Sequence, residues 1–201
     1  MIKSPPFDIL LRTDRFVIRT LMPEDASVGL ENWLLDPLAA EMLNSPLRIW
    51  TVENQQDYFK SYYGQATKLL LGVFTKQDNT CIGLYIAKPN VDSGTFTVSM
   101  VIGDLVWRGK DAAREVSSEI ERYFFNDLGF WKVKANVRPQ NKAMNWVLLT
   151  NGWKKEARLV GHLLIEDEKT RGDLLVYGLL ASEWRVWIAN RDAKKLATLK
   201  L

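Results

Sequence analysis

The chain has 201 residues, 47% of them hydrophobic and 25% charged, and a formal net charge of +3 from 27 basic and 24 acidic side chains. That length holds one well-buried core. So balanced a charge, with both signs interleaved, argues against a nucleic-acid partner. A single cysteine, Cys81, and a single histidine, His162, exclude an intrachain disulfide and leave too few ligands for a structural zinc site, so no metal is expected. No run of about 18 apolar residues is present to cross a membrane. The opening Met1-Ile2-Lys3-Ser4-Pro5-Pro6 lacks the apolar stretch of a signal peptide. A cytoplasmic protein without a membrane partner is expected.

Arg15 to Leu21, rich in β-branched and aromatic residues, reads as the first strand. Pro23-Glu24-Asp25 then opens a predicted helix, acidic in its first turn, reaching Leu35 before Asp36-Pro37. Thr51 caps a second helical stretch that continues through Tyr58, Phe59 and Tyr62. Three strands follow, Leu69 to Thr75, Thr80 to Ala87 and Thr95 to Ile102, separated by the turns Gln77-Asp78-Asn79 and Asp92-Ser93-Gly94. Cys81 reads as a small buried side chain in the second of them. In the third, Phe96, Val98, Met100 and Ile102 share a face suited to a core. Thr95, Thr97, Ser99 and Val101 share a milder face that suits a cleft.

A loop, Gly103 to Lys110, leads into a predicted helix from Asp111 to Asp127, with Ala113, Val116, Ile120, Tyr123 and Phe124 as its apolar stripe and Gly129 just past its end. Trp131 to Val137 alternates as a strand, and Asn141 to Thr150 is a short helix closed by Asn151-Gly152. Two last strands, Trp153 to Ile165 and Asp173 to Leu180, flank a charged turn from Glu166 to Gly172. The tail from Ala181 is a helix packed on the domain or a frayed end. This order predicts an α/β (α+β) chain with a mixed sheet and helices on its faces.

A loop entering a helix offers unpaired backbone amides and the positive end of the helix dipole, a seat for phosphate. Arg108, Lys110 and Arg114 put positive charge around the helix start at Asp111. By residue type alone any helix start with basic neighbours looks the same.

The run Ser99 to Ala113 resembles motif A of the GCN5-related N-acetyltransferases, a strand followed by Arg/Gln-x-x-Gly-x-Gly/Ala at the head of a long helix. Asn141-Lys142-Ala143-Met144, Val147-Leu148 and Asn151-Gly152-Trp153 are similar to that family's Asn-x-x-Ser…Val-Leu…Gly-Phe element. Asp173 to Leu180 with Glu183-Trp184 looks like the C-terminal signature of the subgroup that includes the ribosomal-protein alanine N-acetyltransferases. The resemblance runs from about Leu11 to Trp187 and implies one domain over residues 1–201, with 188–201 as a tail. It also implies a mostly antiparallel sheet of about six to seven strands.

The resemblance further implies an acyl-CoA-dependent N-acyltransferase, with acetyl-CoA as co-substrate. Its acceptor is a primary amine: a protein N-terminus, a small amine or an amino sugar. The chain would act as a monomer or homodimer. Val101, Ile102, Arg108, Gly109, Lys110, Asp111, Ala112, Ala113, Asn141 and Met144 stand at the positions expected to hold the coenzyme. The site is expected between the strand ending at Ile102 and the strand near Trp131 to Val137, closed by the Asn141 helix.

Asp111 replaces the first motif glycine, and Met144 replaces a serine that serves the thiolate side of the reaction; a thioether has no proton to donate. These two departures support an alternative reading, a weakly catalytic or inactive binding module. Asp111 is expected to cap the helix with its carboxylate. Arg108 and Lys110 are expected to serve binding rather than folding. The polar residues to inspect as acid or base are Asp104, Asp173, Tyr177 and His162, the last of which also reads as a structural histidine in a strand. Trp33, Tyr58, Tyr62 and Tyr63 either form an acceptor pocket or pack in the core.

Overall fold

The computed structural model describes residues 1–27, Leu30, 51–164 and 170–198. Its strands are β1 (Leu10–Arg12), β2 (Phe16–Thr20), β3 (Leu69–Thr75), β4 (Cys81–Asn90), β5 (Thr95–Ile102), β6 (Lys132–Val137), β7 (Lys154–Leu164) and β8 (Arg171–Leu180). The helices among the described residues are α1 (Val52–Lys60), α2 (Ala112–Arg122), α3 (Lys142–Thr150) and α4 (Ala181–Thr198). The strands form one sheet in the order β1-β2-β3-β4-β5-β6-β8-β7. Neighbours run antiparallel except β5 and β6, which are parallel and joined through α2.

The mixed, mostly antiparallel sheet flanked by helices is the class read from the sequence. Its eighth strand is β1, only three residues long, whose pairing with β2 places buried Leu11 opposite Ile18. The helix expected from Pro23 is a single 3-10 turn, Pro23–Asp25, ended by the extended backbone of Ala26. Asp25 closes that turn by accepting from the Met22 amide at 2.8 Å and pairing with Arg19 at 2.6 Å. The rest of that helix toward Leu35, with Trp33 and the break at Asp36-Pro37, lies outside the described residues apart from Leu30. So does most of the turn expected from Glu166. The tail from Ala181 is helical.

Every residue of β3 is buried, as expected for an apolar run covered on both faces. Leu69, Leu71 and Val73 join the larger core with Val116, Ile120 and Phe124 of the α2 side and Trp184 of α4. Leu70 and Phe74 face the other way, toward Leu30, Phe59 and Tyr62. Gly72 shares the face of Leu70 and Phe74. A Cβ there would stand 2.5 Å from the Phe74 ring and 2.8 Å from Leu21, so the close packing requires glycine.

The β5–α2 unit positions the site. Phe96 of β5 stacks on Phe124 at 4.1 Å, and α2 gives way to a π-helical turn at Tyr123–Asp127. Glu121, two residues before that turn, is fully buried and accepts from the Trp153 indole N–H at 2.9 Å. Burial pushes its carboxyl up to about 8.

Candidate active site

The parallel ladder between β5 and β6 runs from Thr95↔Lys132 to Val98↔Ala135 and stops. Both strands continue, each paired only with its outer neighbour: β5 with β4 to Ile102, and β6 with β8 to Val137. The direction of the freed backbone groups follows from the register. The Gly103 amide donates to the Ile82 carbonyl, and the Trp131 amide donates to the Gly94 carbonyl. Backbone groups alternate along a strand, so odd positions of β5 face β4 and even positions face β6. Beyond Val98, the backbone groups of Met100 and Ile102 therefore point into the gap. Val101, a position expected to hold the coenzyme, turns its amide to β4. The Ile102 carbonyl accepts from Arg108 Nε at 3.0 Å.

A cavity of about 470 Å³ occupies this gap, within the range that suits a small-molecule site. Val101 and Ile102 line it from β5, and Arg108 and Gly109 from the loop. Asp111, Ala112 and Ala113 line it from the head of α2, and Asn141 and Met144 from α3. Of the positions expected to hold a coenzyme, only Lys110 is absent from the lining. Its ammonium is exposed beside Trp107, 5.8 Å from the ring centre, and its carbonyl accepts from Arg15. Asn141 caps α3 by accepting from the Met144 amide at 3.0 Å. Among the ionisable lining residues, Arg108, Arg114 and Lys142 outnumber Asp111, which suits an anionic ligand.

The head of α2 differs from expectation in one respect. Asp111 occupies the N-cap position with φ 58°, in the left-handed region, and its side chain makes no capping hydrogen bond. The carboxylate lies 3.5 Å from Arg114 Nη2 and is 61% exposed. The physical reason is the backbone. The left-handed turn, shared with Gly109 at φ 74°, swings the side chain away from the first-turn amides. Aspartate tolerates this conformation better than most residues, but glycine suits it best. The amides of Ala112, Ala113 and Arg114 thus have neither an intrahelical partner nor a side-chain cap. Small side chains at Ala112 and Ala113 let a ligand approach them.

The expectation that Arg108 serves binding and not folding is also corrected, because its guanidinium ties the loop back to the end of β5. The acid–base candidates are dispersed. Asp104 stands two residues past the end of β5, accepts from the Val106 amide at 2.7 Å, and lines an adjoining cavity that also contains Arg108. Tyr177 is 2% exposed, donates to Asn145 Oδ1 at 2.7 Å, and has its phenol pushed above the ordinary range by burial. Asp173 locks the β7–β8 hairpin. It accepts from the Gly161 amide at 2.9 Å and from Arg158 Nε at 2.6 Å, and these bonds hold its carboxyl below the usual range. His162 is exposed on β7.

Tyr62 is buried, in hydroxyl contact with Tyr58 at 2.9 Å, and Tyr63 packs edge-on against Phe7 at 4.0 Å. These tyrosines pack around α1 and do not line the cavity. Among the described residues no group of three or more His, Cys, Asp or Glu is placed to hold a metal ion. None of the described helices is long and apolar enough to cross a membrane.

Sequence reading missed Trp146. It stands 55% exposed on α3 at the cavity, and Arg114 lies over its ring at 5.4 Å. The signal available in the sequence was its place one residue before Val147-Leu148, on the helix that closes the site.

The sheet thus parts at its parallel pair, and the head of α2 presents amides without a side-chain cap at the opening. Comparison with known proteins identifies the fold. The family model described as the acetyltransferase (GNAT) domain matches residues 15–154, and the chain belongs to that family. Comparison by sequence with curated proteins gives no match.

Among solved structures, the chain is similar to a GCN5-related N-acetyltransferase from Brucella melitensis, at TM-score 0.76 and 15% identity, covering 96% of this chain and 87% of that one. It is similar to spermidine N-acetyltransferase from Vibrio cholerae in complex with CoA and spermine, at TM-score 0.74 and 17% identity, over 84% and 97% of the two chains. It also resembles the ribosomal-protein-S5-alanine acetyltransferase of Vibrio fischeri, at TM-score 0.73 and 17% identity, over 88% and 99%. At these identities the likeness is one of fold.

Proposed function

We propose that this acetyltransferase-family chain, acting as one domain, transfers acetyl from acetyl-CoA to a primary amine by direct attack. The observation that carries this reading is the parting of β5 from β6 beyond Val98, which opens onto the uncapped head of α2. Backbone groups left unpaired in a half-buried gap need partners. An extended pantetheine, with amides of its own, is complementary to Met100 and Ile102, and a pyrophosphate is complementary to the α2 amides. Arg108, Lys110, Asn141 and Met144 would complete the contacts, Lys110 through its charge alone.

The neutral amine would add to the thioester carbonyl carbon, the carbon–sulfur bond would break, and the coenzyme thiolate would leave. The proton of the amine must go to a base. The Ile102 amide faces the gap and is placed to polarise the carbonyl. Of the four acid–base candidates, Asp104 stands closest in the fold to the end of β5 and can take that proton directly or through a water. Spermidine and a ribosomal-protein alanine, named for two structural relatives, support a primary amine as the acceptor. Within that class a protein N-terminus, a small amine and an amino sugar all supply the nucleophile. The protein would work in the cytoplasm as a monomer or homodimer.

A weakly catalytic or inactive binding module is the second reading. It is favoured by Met144, which lines the cavity with a side chain that has no proton to give. One experiment separates the two. The protein is mixed with acetyl-CoA and a panel of primary amines, and free thiol is followed alongside thermal melting. Acetyl-CoA at 100 times its dissociation constant should stabilise the fold by about 2.7 kcal/mol, and one class of amine should release thiol. Stabilisation without thiol release from any amine would select the binding module. Neither effect would overturn both readings.

A further inference from the structure

We propose that Arg114 and Trp146 form the nucleotide end of this site, the indole stacking the adenine of coenzyme A and the guanidinium taking its phosphates; the inference rests on the coenzyme reading above. The two side chains come from different helices, Arg114 from the first turn of α2 and Trp146 from α3, and both line the cavity. The guanidinium carbon lies 5.4 Å from the centre of the indole ring, so the pair bridges the gap between the helices.

Neither member is fully used by the fold. Trp146 keeps 55% of its surface exposed, and an indole face open beside a cavity is a platform for a planar base. Arg114 Nε is buried with no hydrogen-bond partner. Its Nη2 reaches only Asp111, at 3.5 Å, beyond the length of a good charge-assisted bond. A planar fork with an unspent donor, beside the uncapped amides of a helix head, fits a phosphate better than an exposed carboxylate. Asp111 is then the internal anion that an incoming phosphate displaces.

One ligand feature satisfies both groups, an aromatic base joined to phosphates. The adenosine part of coenzyme A has it, and the phosphopantetheine part carries phosphate without a base. The Trp146 contribution should therefore divide between the two halves of the coenzyme.

The test is calorimetry on the parent, Trp146→Ala, Trp146→Phe and Arg114→Ala, with coenzyme A, adenosine 3′,5′-bisphosphate and 4′-phosphopantetheine as probes. Trp146→Ala should weaken coenzyme A and the adenosine bisphosphate by about tenfold and leave phosphopantetheine unchanged. Trp146→Phe, which keeps a π-face, should restore most of the loss. Arg114→Ala should weaken all three, because each carries phosphate. Equal losses for phosphopantetheine and coenzyme A in Trp146→Ala, or no loss for either, would overturn the inference while leaving the coenzyme reading in place. A parent that binds none of the three probes would overturn the coenzyme reading, and the inference with it.

Discussion

At the tail of α2 the carboxyl of Glu121 is fully buried against Trp153, whereas at the head of the same helix the carboxylate of Asp111 is 61% exposed and rests on Arg114. The strand beneath them divides in the same way. Thr95–Val98 of β5 is paired on both sides, and Phe96 is packed into the aromatic cluster; Ser99–Ile102 is paired only with β4. One end of the β5–α2 unit is packed into the core. The other leaves amides, an arginine donor and an indole face unspent. The difference comes from the neighbouring strand. β6 follows β5 for four residues and then diverges, and everything that makes a site lies past that point.

The largest effect should come from breaking the closed end. Phe96→Ala removes a wholly buried ring from contact with Phe124, Phe125 and Phe130, and should cost about 3–5 kcal/mol of stability, read from denaturant unfolding. A loss under about 1 kcal/mol would mean that this end is no better packed than the open one.

Glu121 should show itself through pH. Its carboxyl, pushed up to about 8 by burial, lies above the ordinary glutamate value of 4.5, so between these values the folded state holds the extra proton. Stability is then full below about pH 4.5 and declines as pH rises toward 8, by on the order of 5 kcal/mol in all. Melting the parent and Glu121→Gln across pH 5 to 8 checks this. The parent should lose stability along that window, and the variant should lose much less. Parallel slopes would show that some other group titrates.

The smallest stability effect is expected at the head. Asp111→Gly loses no cap, because none is made, and relieves a left-handed residue that costs roughly 1 kcal/mol, offset in part by the greater freedom of glycine when unfolded. Stability should rise slightly or hold. Affinity for acetyl-CoA should increase about tenfold as a carboxylate leaves the phosphate seat. A clear drop in melting temperature would mean that the Asp111–Arg114 pair supports the helix after all.

The sequence made the closed end more legible than the open one. Alternation in Thr95 to Ile102 and the apolar stripe of Val116, Ile120 and Phe124 predict β5, α2 and their packing, because burial leaves a periodic mark. The family resemblance also drew the cavity-lining positions to one place. Three features left no such mark. The parting of β5 and β6 depends on where a distant strand turns away, and Met100 and Ile102 read the same whether paired or free. The left-handed backbone at Asp111 turned an expected cap into an ion pair. Trp146 looked like any other aromatic in a chain with eight tryptophans, because its role depends on facing Arg114 across two helices. Asp173 and Tyr177 were read as polar groups available for chemistry. The fold uses both, one in a hairpin and the other to hold Asn145.

The most direct test of the contrast is amide hydrogen exchange with and without acetyl-CoA. Protection should increase at Met100, Ile102 and the first-turn amides Ala112, Ala113 and Arg114, while Phe96 and Val98, already paired to β6, should stay as they are. Uniform change along β5, or none at Ile102 and Ala112 under saturating acetyl-CoA, would contradict the claim that the coenzyme lies in the gap where the two strands part.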